Sequence, residues 1–212
     1  MFITLEGIEG SGKTTQMQQL CTFFEDRGLA CVLTREPGGT TPGEKIRAIL
    51  LDPASADLVP TAELLLYMAD RAQHISSLIK PSLAEGKVIL CDRYFDATVV
   101  YQGFARGLDT GFICDLHRLI FDDLLPDITF LLDLAPQIGL ARAWRQLDNG
   151  MRSGTESRFE EETLTFHEKV RAGYLELARR QPERIKVVDA TRDEKQVQAD
   201  IRDALADLLP LI

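Results

Sequence analysis

The chain of 212 residues is 45% hydrophobic and 27% charged, with a formal net charge of −9. This length suits one α/β domain with a sizeable core, and no apolar run approaches the roughly 18–20 residues of a bilayer span. So acidic a surface repels a polyanion, which argues against nucleic acid as a partner; an anionic substrate must be met by locally gathered arginines. The start at MFITLEG carries no basic leader, and Cys21, Cys31, Cys91 and Cys114 lack CxxC spacing. A cytoplasmic protein with free, buried thiols is expected.

Strand-length apolar runs alternate with longer helical patterns. The runs 2–6, 30–34, 87–92, 128–134 and 185–190 are aliphatic on both faces, as strands covered from both sides are. Helices are expected at about 13–27, 43–51, 61–80, 111–123, 136–147, 159–181 and 193–209. Pro42 and Pro136 mark helix starts, while Gly28 and Gly86 follow helix ends. The alternation predicts an α/β fold, a five-stranded parallel sheet with helices on both faces, in one domain over 1–212. The polar stretch at about 147–158 interrupts the pattern and is expected to be a mobile loop.

GIEGSGKT at 7–14 matches G-x-x-x-x-G-K-[ST] between a strand and a helix. Gly7, Gly10 and Gly12 let backbone N–H groups converge on one anion, and the following helix adds its positive end. Lys13 is placed to bridge the β- and γ-phosphates and the Thr14 hydroxyl to ligate magnesium. By itself this motif leaves kinase, GTPase, ATPase and nucleotide sensor open, although no N-K-x-D string supports a GTPase. Asp92 ends a strand in the manner of a Walker B carboxylate, but Arg93 follows at once. Arg35 and Arg93 lie just past strand ends, where open α/β sheets bind ligands. With Arg71 they suggest a second anion site. Tyr67 shares a helical face with Arg71, as a base-stacking ring beside a phosphate-binding cation would.

The segments LEGIEGSGKTT, TREPGGT, LLLYMADRAQH, DRYFDATVVYQG and VVDAT resemble, in order, the motifs of thymidylate kinases, and TREPGGT and DRY…YQG are distinctive of that family among nucleoside monophosphate kinases. The resemblance implies a P-loop nucleoside monophosphate kinase fold. It implies ATP and dTMP as substrates, Mg²⁺ as cofactor, dTDP as product in dTTP biosynthesis, and a homodimer through the helices at 61–80 or 111–123. It implies that Gly7, Ile8, Glu9, Gly10, Ser11, Gly12, Lys13, Thr14, Thr15 and Arg142 meet ATP, with the Asp189–Thr191 loop on the adenine side. Arg35, Glu36, Pro37, Tyr67, Arg71, Arg93, Thr98 and Gln102 would meet dTMP. Glu9 would stand near the sugar 3′-hydroxyl and the magnesium. Relatives often carry Phe at position 67 and Ser at position 97, where this chain has Tyr67 and Ala97. No arginine occupies the variable P-loop positions, so the catalytic cation is expected from the loop: Arg145, Arg152 or, on the best match, Arg158. Lys13, Arg93, Arg158 and Glu9 are therefore the candidate catalytic residues. Phosphoryl transfer to an anionic oxygen needs no dedicated base, and His74, His117 and His167 are expected to be structural or exposed. Asp133 is expected beside the P-loop helix, and no role is evident for Trp144.

Overall fold

The computed structural model describes residues 1–149 and 156–206. The centre of the loop at 147–158, Arg152 included, lies outside these residues. Five parallel strands form one sheet in the order β2-β3-β1-β4-β5: β1 (Phe2–Glu6), β2 (Cys31–Arg35), β3 (Val88–Asp92), β4 (Ile128–Asp133) and β5 (Ile185–Asp189). Every residue of β1 is buried, so side chains pointing both ways are covered. That explains the continuous rather than alternating apolar runs. The register pairs Leu5 with both Asp92 and Phe130, and Arg35 with Asp92. The carboxyl ends of β1, β2 and β3 therefore sit side by side, in the crevice where the chain leaves the sheet centre for its edge.

The helices follow their caps. α1 (Lys13–Glu25) starts at the P-loop, and α2 (Thr41–Leu51) begins where the Thr40 side chain accepts from Gly43 N at 3.0 Å, with Pro42 in the first turn. α3 (Pro60–His74) runs through a π-helical turn at Ile75–Ile79 into α4 (Lys80–Ala84), past the expected end at residue 80. Lys80 N–H reaches back to the Ile75 carbonyl, and the chain passes Pro81 without breaking.

A helix that the sequence pattern did not predict follows β3. α5 (Phe95–Thr98) continues as a π-helical stretch at Val99–Ala105. Its residues 98–103 are buried all round, so no polar face gives a 3.6-residue period, and Val99 and Val100 are β-branched. α6 (Thr110–Phe121) is capped by Asp109 and α7 (Pro136–Asp148) opens on its proline. α8 (Leu164–Arg180) begins five residues later than expected, because Thr163 caps Phe166 N at 3.2 Å and residues before it form turns. α9 (Glu194–Leu205) is capped by Asp193. No helix among the described residues is long and apolar enough to cross a membrane.

Candidate active site

β1 delivers the chain into residues 7–12, and α1 takes it away. A Cβ on Gly7 would lie 2.6 Å from the Leu132 carbonyl oxygen, and one on Gly10 would lie 2.1 Å from that of Gly139. Both glycines have positive φ, 137° and 69°, so the loop lies against β4 and α7 only because these positions lack side chains. Lys13 folds its ammonium back across the loop, donating to Gly7 O (3.1 Å), Ile8 O (3.0 Å) and Ser11 Oγ (3.3 Å). Burial first, and then the nearby Arg93 guanidinium, push its pKa down to about 8 against the pull of Asp92, Glu9 and Glu6. Its three hydrogen bonds are all to neutral oxygens.

Facing the loop, Arg93 sits in the left-handed backbone region at φ 67°, a conformation costing a non-glycine residue of order 1–3 kcal/mol and concentrated at functional sites. Its Nη2 donates to Glu9 Oε1 at 2.8 Å, and its guanidinium lies 4.8 Å from the centre of the Tyr101 ring. Tyr101 Oη donates to the same Glu9 oxygen at 2.7 Å. His167, fully buried on α8, brings Nδ1 to 3.3 Å from Glu9 Oε2, out of line for a hydrogen bond. Burial would raise the Glu9 carboxyl, yet Arg93, His167 and Lys13 together hold it well below the ordinary carboxylate range. Glu9 thus remains an anion that orients Arg93.

Arg71, 1% exposed, donates from Nε to Glu36 Oε2 at 2.8 Å and from Nη2 to Thr98 Oγ1 at 2.8 Å. Glu36 is held in turn by His74 Nδ1 at 2.9 Å, whose Nε2 meets Thr34 Oγ1 at 2.7 Å. Gln102 donates from Nε2 to Glu63 Oε1 at 2.8 Å. Arg35 pairs at the surface with Glu44, and Arg47 spans Pro37 O and Glu156.

These groups enclose a cavity of about 590 Å³. Glu9, Gly10, Ser11, Gly12, Lys13, Thr14 and Thr15 line one end, and Arg35, Glu36, Pro37, Tyr67, Arg71, Arg93, Thr98 and Gln102 the other. Gly7 and Ile8 stand behind the loop, their carbonyls accepting from Lys13. Arg142 lies outside the cavity but donates from Nη1 to Ala190 O at 3.1 Å, joining it to the Asp189–Thr191 loop. Burial pushes the Tyr67 hydroxyl upward, so it stays neutral.

One placement departs from expectation. Arg158 is not over the P-loop: it is 5% exposed, ion-paired with Glu63 Oε2 at 2.7 Å and donating to Leu50 O at 3.0 Å. Arg158 does not line the cavity and shares Glu63 with Arg106 and Gln102. Asp133 pairs with Arg171 of α8 at 2.7 and 2.9 Å and shares a small cleft with Gly7 and Ile8 of the P-loop. The histidines are structural, and all are buried. His117 stacks on Phe95 at 3.9 Å, and burial, then Arg71, lowers its pKa to about 4.

Sequence reasoning missed Glu63, Tyr101, His167 and Tyr174, whose hydroxyl accepts from Arg93 Nη1 at 3.5 Å, as groups around this site. Glu63, Tyr67, Arg71 and His74 do form an i, i+4, i+8, i+11 stripe along α3, a signal visible in the spacing. The oxygens present suit a hard cation. Asp92 Oδ1 and Glu9 Oε2 are buried without a hydrogen-bond partner, and Thr14 is exposed at the same end of the cavity. Magnesium with a nucleotide needs only one or two such oxygens beside phosphates and water. Among the described residues no group of three or more His, Cys, Asp or Glu forms a protein-only metal cage.

A family model described as thymidylate kinase matches residues 5–201. The thymidylate kinase of Desulfosudis oleivorans is 54% identical over 205 residues, 97% of this chain and 96% of its own. That of Syntrophotalea carbinolica is 54% identical over 196 residues, 91% and 90% of the two chains. The crystal structure of thymidylate kinase from Ehrlichia chaffeensis superposes with a TM-score of 0.77 at 34% identity, covering 97% of this chain and 98% of that one.

Proposed function

The chain belongs to the thymidylate kinase family and transfers the γ-phosphoryl group of ATP to dTMP, and we propose that its cavity divides this work between its two ends. The observation that carries the assignment is the 2.8 Å bond from Arg93 to Glu9, which fixes an anion-binding arginine beside the P-loop lysine.

Backbone N–H groups of residues 7–14 and the Lys13 ammonium bind the ATP phosphates, and Arg142 with the Ala190 loop flanks the adenine. Arg93, with Arg35 at the rim, holds the dTMP phosphate so that an already anionic oxygen faces the γ-phosphorus. Tyr67 lies against the base, and Arg71, Thr98 and Gln102 supply its hydrogen bonds. Glu9 keeps Arg93 aimed and stands near the deoxyribose. Thr14, Glu9 and Asp92 would hold Mg²⁺, which when bound neutralises charge on the transferring phosphates.

The segment at about 147–158 serves as a lid. With Arg158 engaged at Glu63, the lid's charge on the γ-phosphate falls to Arg145 or Arg152 unless Arg158 exchanges partners on closure. Exposed Leu65 on α3 and Phe112, Leu119 and Ile120 on α6, at 55, 54, 80 and 52%, support a homodimer through these helices. The enzyme acts in the cytoplasm, where dTDP feeds dTTP synthesis.

A panel of dTMP, dUMP, dCMP, AMP and GMP with Mg²⁺-ATP and coupled ADP detection tests this reading. Turnover is expected with dTMP well above the others. The preference over dUMP is limited, since one methyl group is worth about 1–3 kcal/mol. No turnover of dTMP would refute it.

A further inference from the structure

Glu63 lies near the start of α3, is wholly buried and does not line the cavity. Its Oε1 accepts from Gln102 Nε2 at 2.8 Å and from Arg106 Nε at 3.3 Å. Its Oε2 meets Arg158 Nη2 at 2.7 Å and Arg106 Nη2 at 3.4 Å. With two guanidinium groups donating to it, Glu63 offers only acceptor lone pairs to a third neighbour. The end of the Gln102 amide that faces it must therefore be the nitrogen.

Gln102 lines the cavity. With Nε2 committed to Glu63, its carbonyl oxygen is the acceptor left for a ligand. An oxygen there accepts from the N3–H of a thymine-type base and repels the N3 lone pair of a cytosine-type base. We propose that Glu63 is a positioning residue for base selection, locking the Gln102 amide with its carbonyl toward the pyrimidine. This rests on the reading that Gln102 meets the base. The same carboxylate anchors Arg158, whose N–H also donates to Leu51 O at 3.2 Å, and Arg106 is shared with Glu162 at 2.6 Å. The lock is thereby fixed to α2 and to the chain returning from the lid.

The experiment compares kcat/KM for dTMP and dCMP, and KM for ATP, in wild type, Glu63→Gln, Gln102→Ala and the exchange variant Glu63→Gln/Gln102→Glu. Glu63→Gln presents either an oxygen or a nitrogen to Gln102. The dTMP-to-dCMP ratio is expected to fall by about tenfold or more, through KM for the nucleotide, with KM for ATP unchanged. In the exchange variant, Gln at position 63 donates to Glu at position 102, whose second oxygen faces the base. The charge of the cluster is kept and the ratio recovers.

A merely structural Glu63 would depress both nucleotides alike. A ratio unmoved by Glu63→Gln, or unrecovered by the exchange, overturns the proposal. If Glu63→Gln does not fold, Glu63→Asp, which keeps the charge but draws the carboxylate back from Gln102, decides instead: a fall in the ratio supports the lock, and an unmoved ratio overturns it. Gln102→Ala separates the proposal from its premise. A ratio that survives Gln102→Ala refutes base reading by Gln102 and the lock with it; a ratio lost there but indifferent to Glu63 refutes the lock only.

Discussion

The two ends of the cavity are built by different physics. The donor end is made by contiguous backbone, with residues 7–14 folded so tightly that Gly7 and Gly10 touch carbonyls of neighbouring elements. The other end is made by side chains from several elements, and its two inner cations are each held by a buried carboxylate, Arg93 by Glu9 and Arg71 by Glu36, while Arg35 pairs at the surface with Glu44. Backbone N–H groups need no counter-charge, since they carry only partial charges, and the one ammonium among them, Lys13, is met by loop oxygens and by the field of Asp92, Glu9 and Glu6. Guanidinium groups in a cavity do need one before substrate arrives, or they would stand uncompensated in low dielectric. On the assignment proposed above, the dTMP phosphate would meet cations already paired and aimed.

If the acceptor end depends on such pairing, removing one carboxylate should damage it and spare the donor end. Glu36→Ala strips the partner from both Arg71 and His74. We expect a stability loss of about 3–5 kcal/mol in urea unfolding. At a temperature where the variant stays folded, dTMP binding should be weakened and ATP binding retained. Equal loss of both ligands would collapse the distinction between the two ends.

A smaller effect tests the seam between them. Glu6 ends β1 just before the P-loop and accepts from Tyr94 N at 2.8 Å and Tyr174 Oη at 2.6 Å. Burial first, then repulsion from Asp96, raises its pKa from 4.5 to about 7. The folded state therefore keeps this proton where the unfolded chain has lost it, so stability falls as pH rises from about 4.5 to about 7 and levels above. The contribution is of order 3 kcal/mol at about 1.36 kcal/mol per pKa unit. Asp70, raised from 3.8 to about 7 by burial and then by Glu36, acts in the same sense. Glu6→Gln should remove its share of this slope in unfolding measured at successive pH values and leave the Asp70 share. An unchanged slope would show that Glu6 is not the buried acid described.

The same contrast explains what was legible in the sequence. The P-loop is contiguous, so its residues display it in order, and strands covered on both faces announce themselves as unbroken aliphatic runs. Arg35 and Arg93 were visible because they follow strand ends. Which carboxylate each buried arginine meets was not, because the partners lie far off in the chain: Arg93 meets Glu9 across 84 positions, and Arg71 meets Glu36 across 35. The helix at 95–105 escaped because it is buried all round and carries β-branched residues. His167 read as an ordinary helical histidine until α8 folded against the P-loop and brought it to 3.3 Å from Glu9. Arg158 sat beside the lid in sequence, yet it pairs with buried Glu63 on α3.

Calorimetric titration of Arg93→Ala with ATP and, separately, with dTMP tests the two-ended cavity most directly. Arg93 lines the cavity and is held by the P-loop's own Glu9. The predicted result is dTMP affinity lowered by about tenfold or more with ATP affinity kept. An equal fall in both affinities, or dTMP binding that survives intact, would contradict the assignment of Arg93 to the acceptor phosphate.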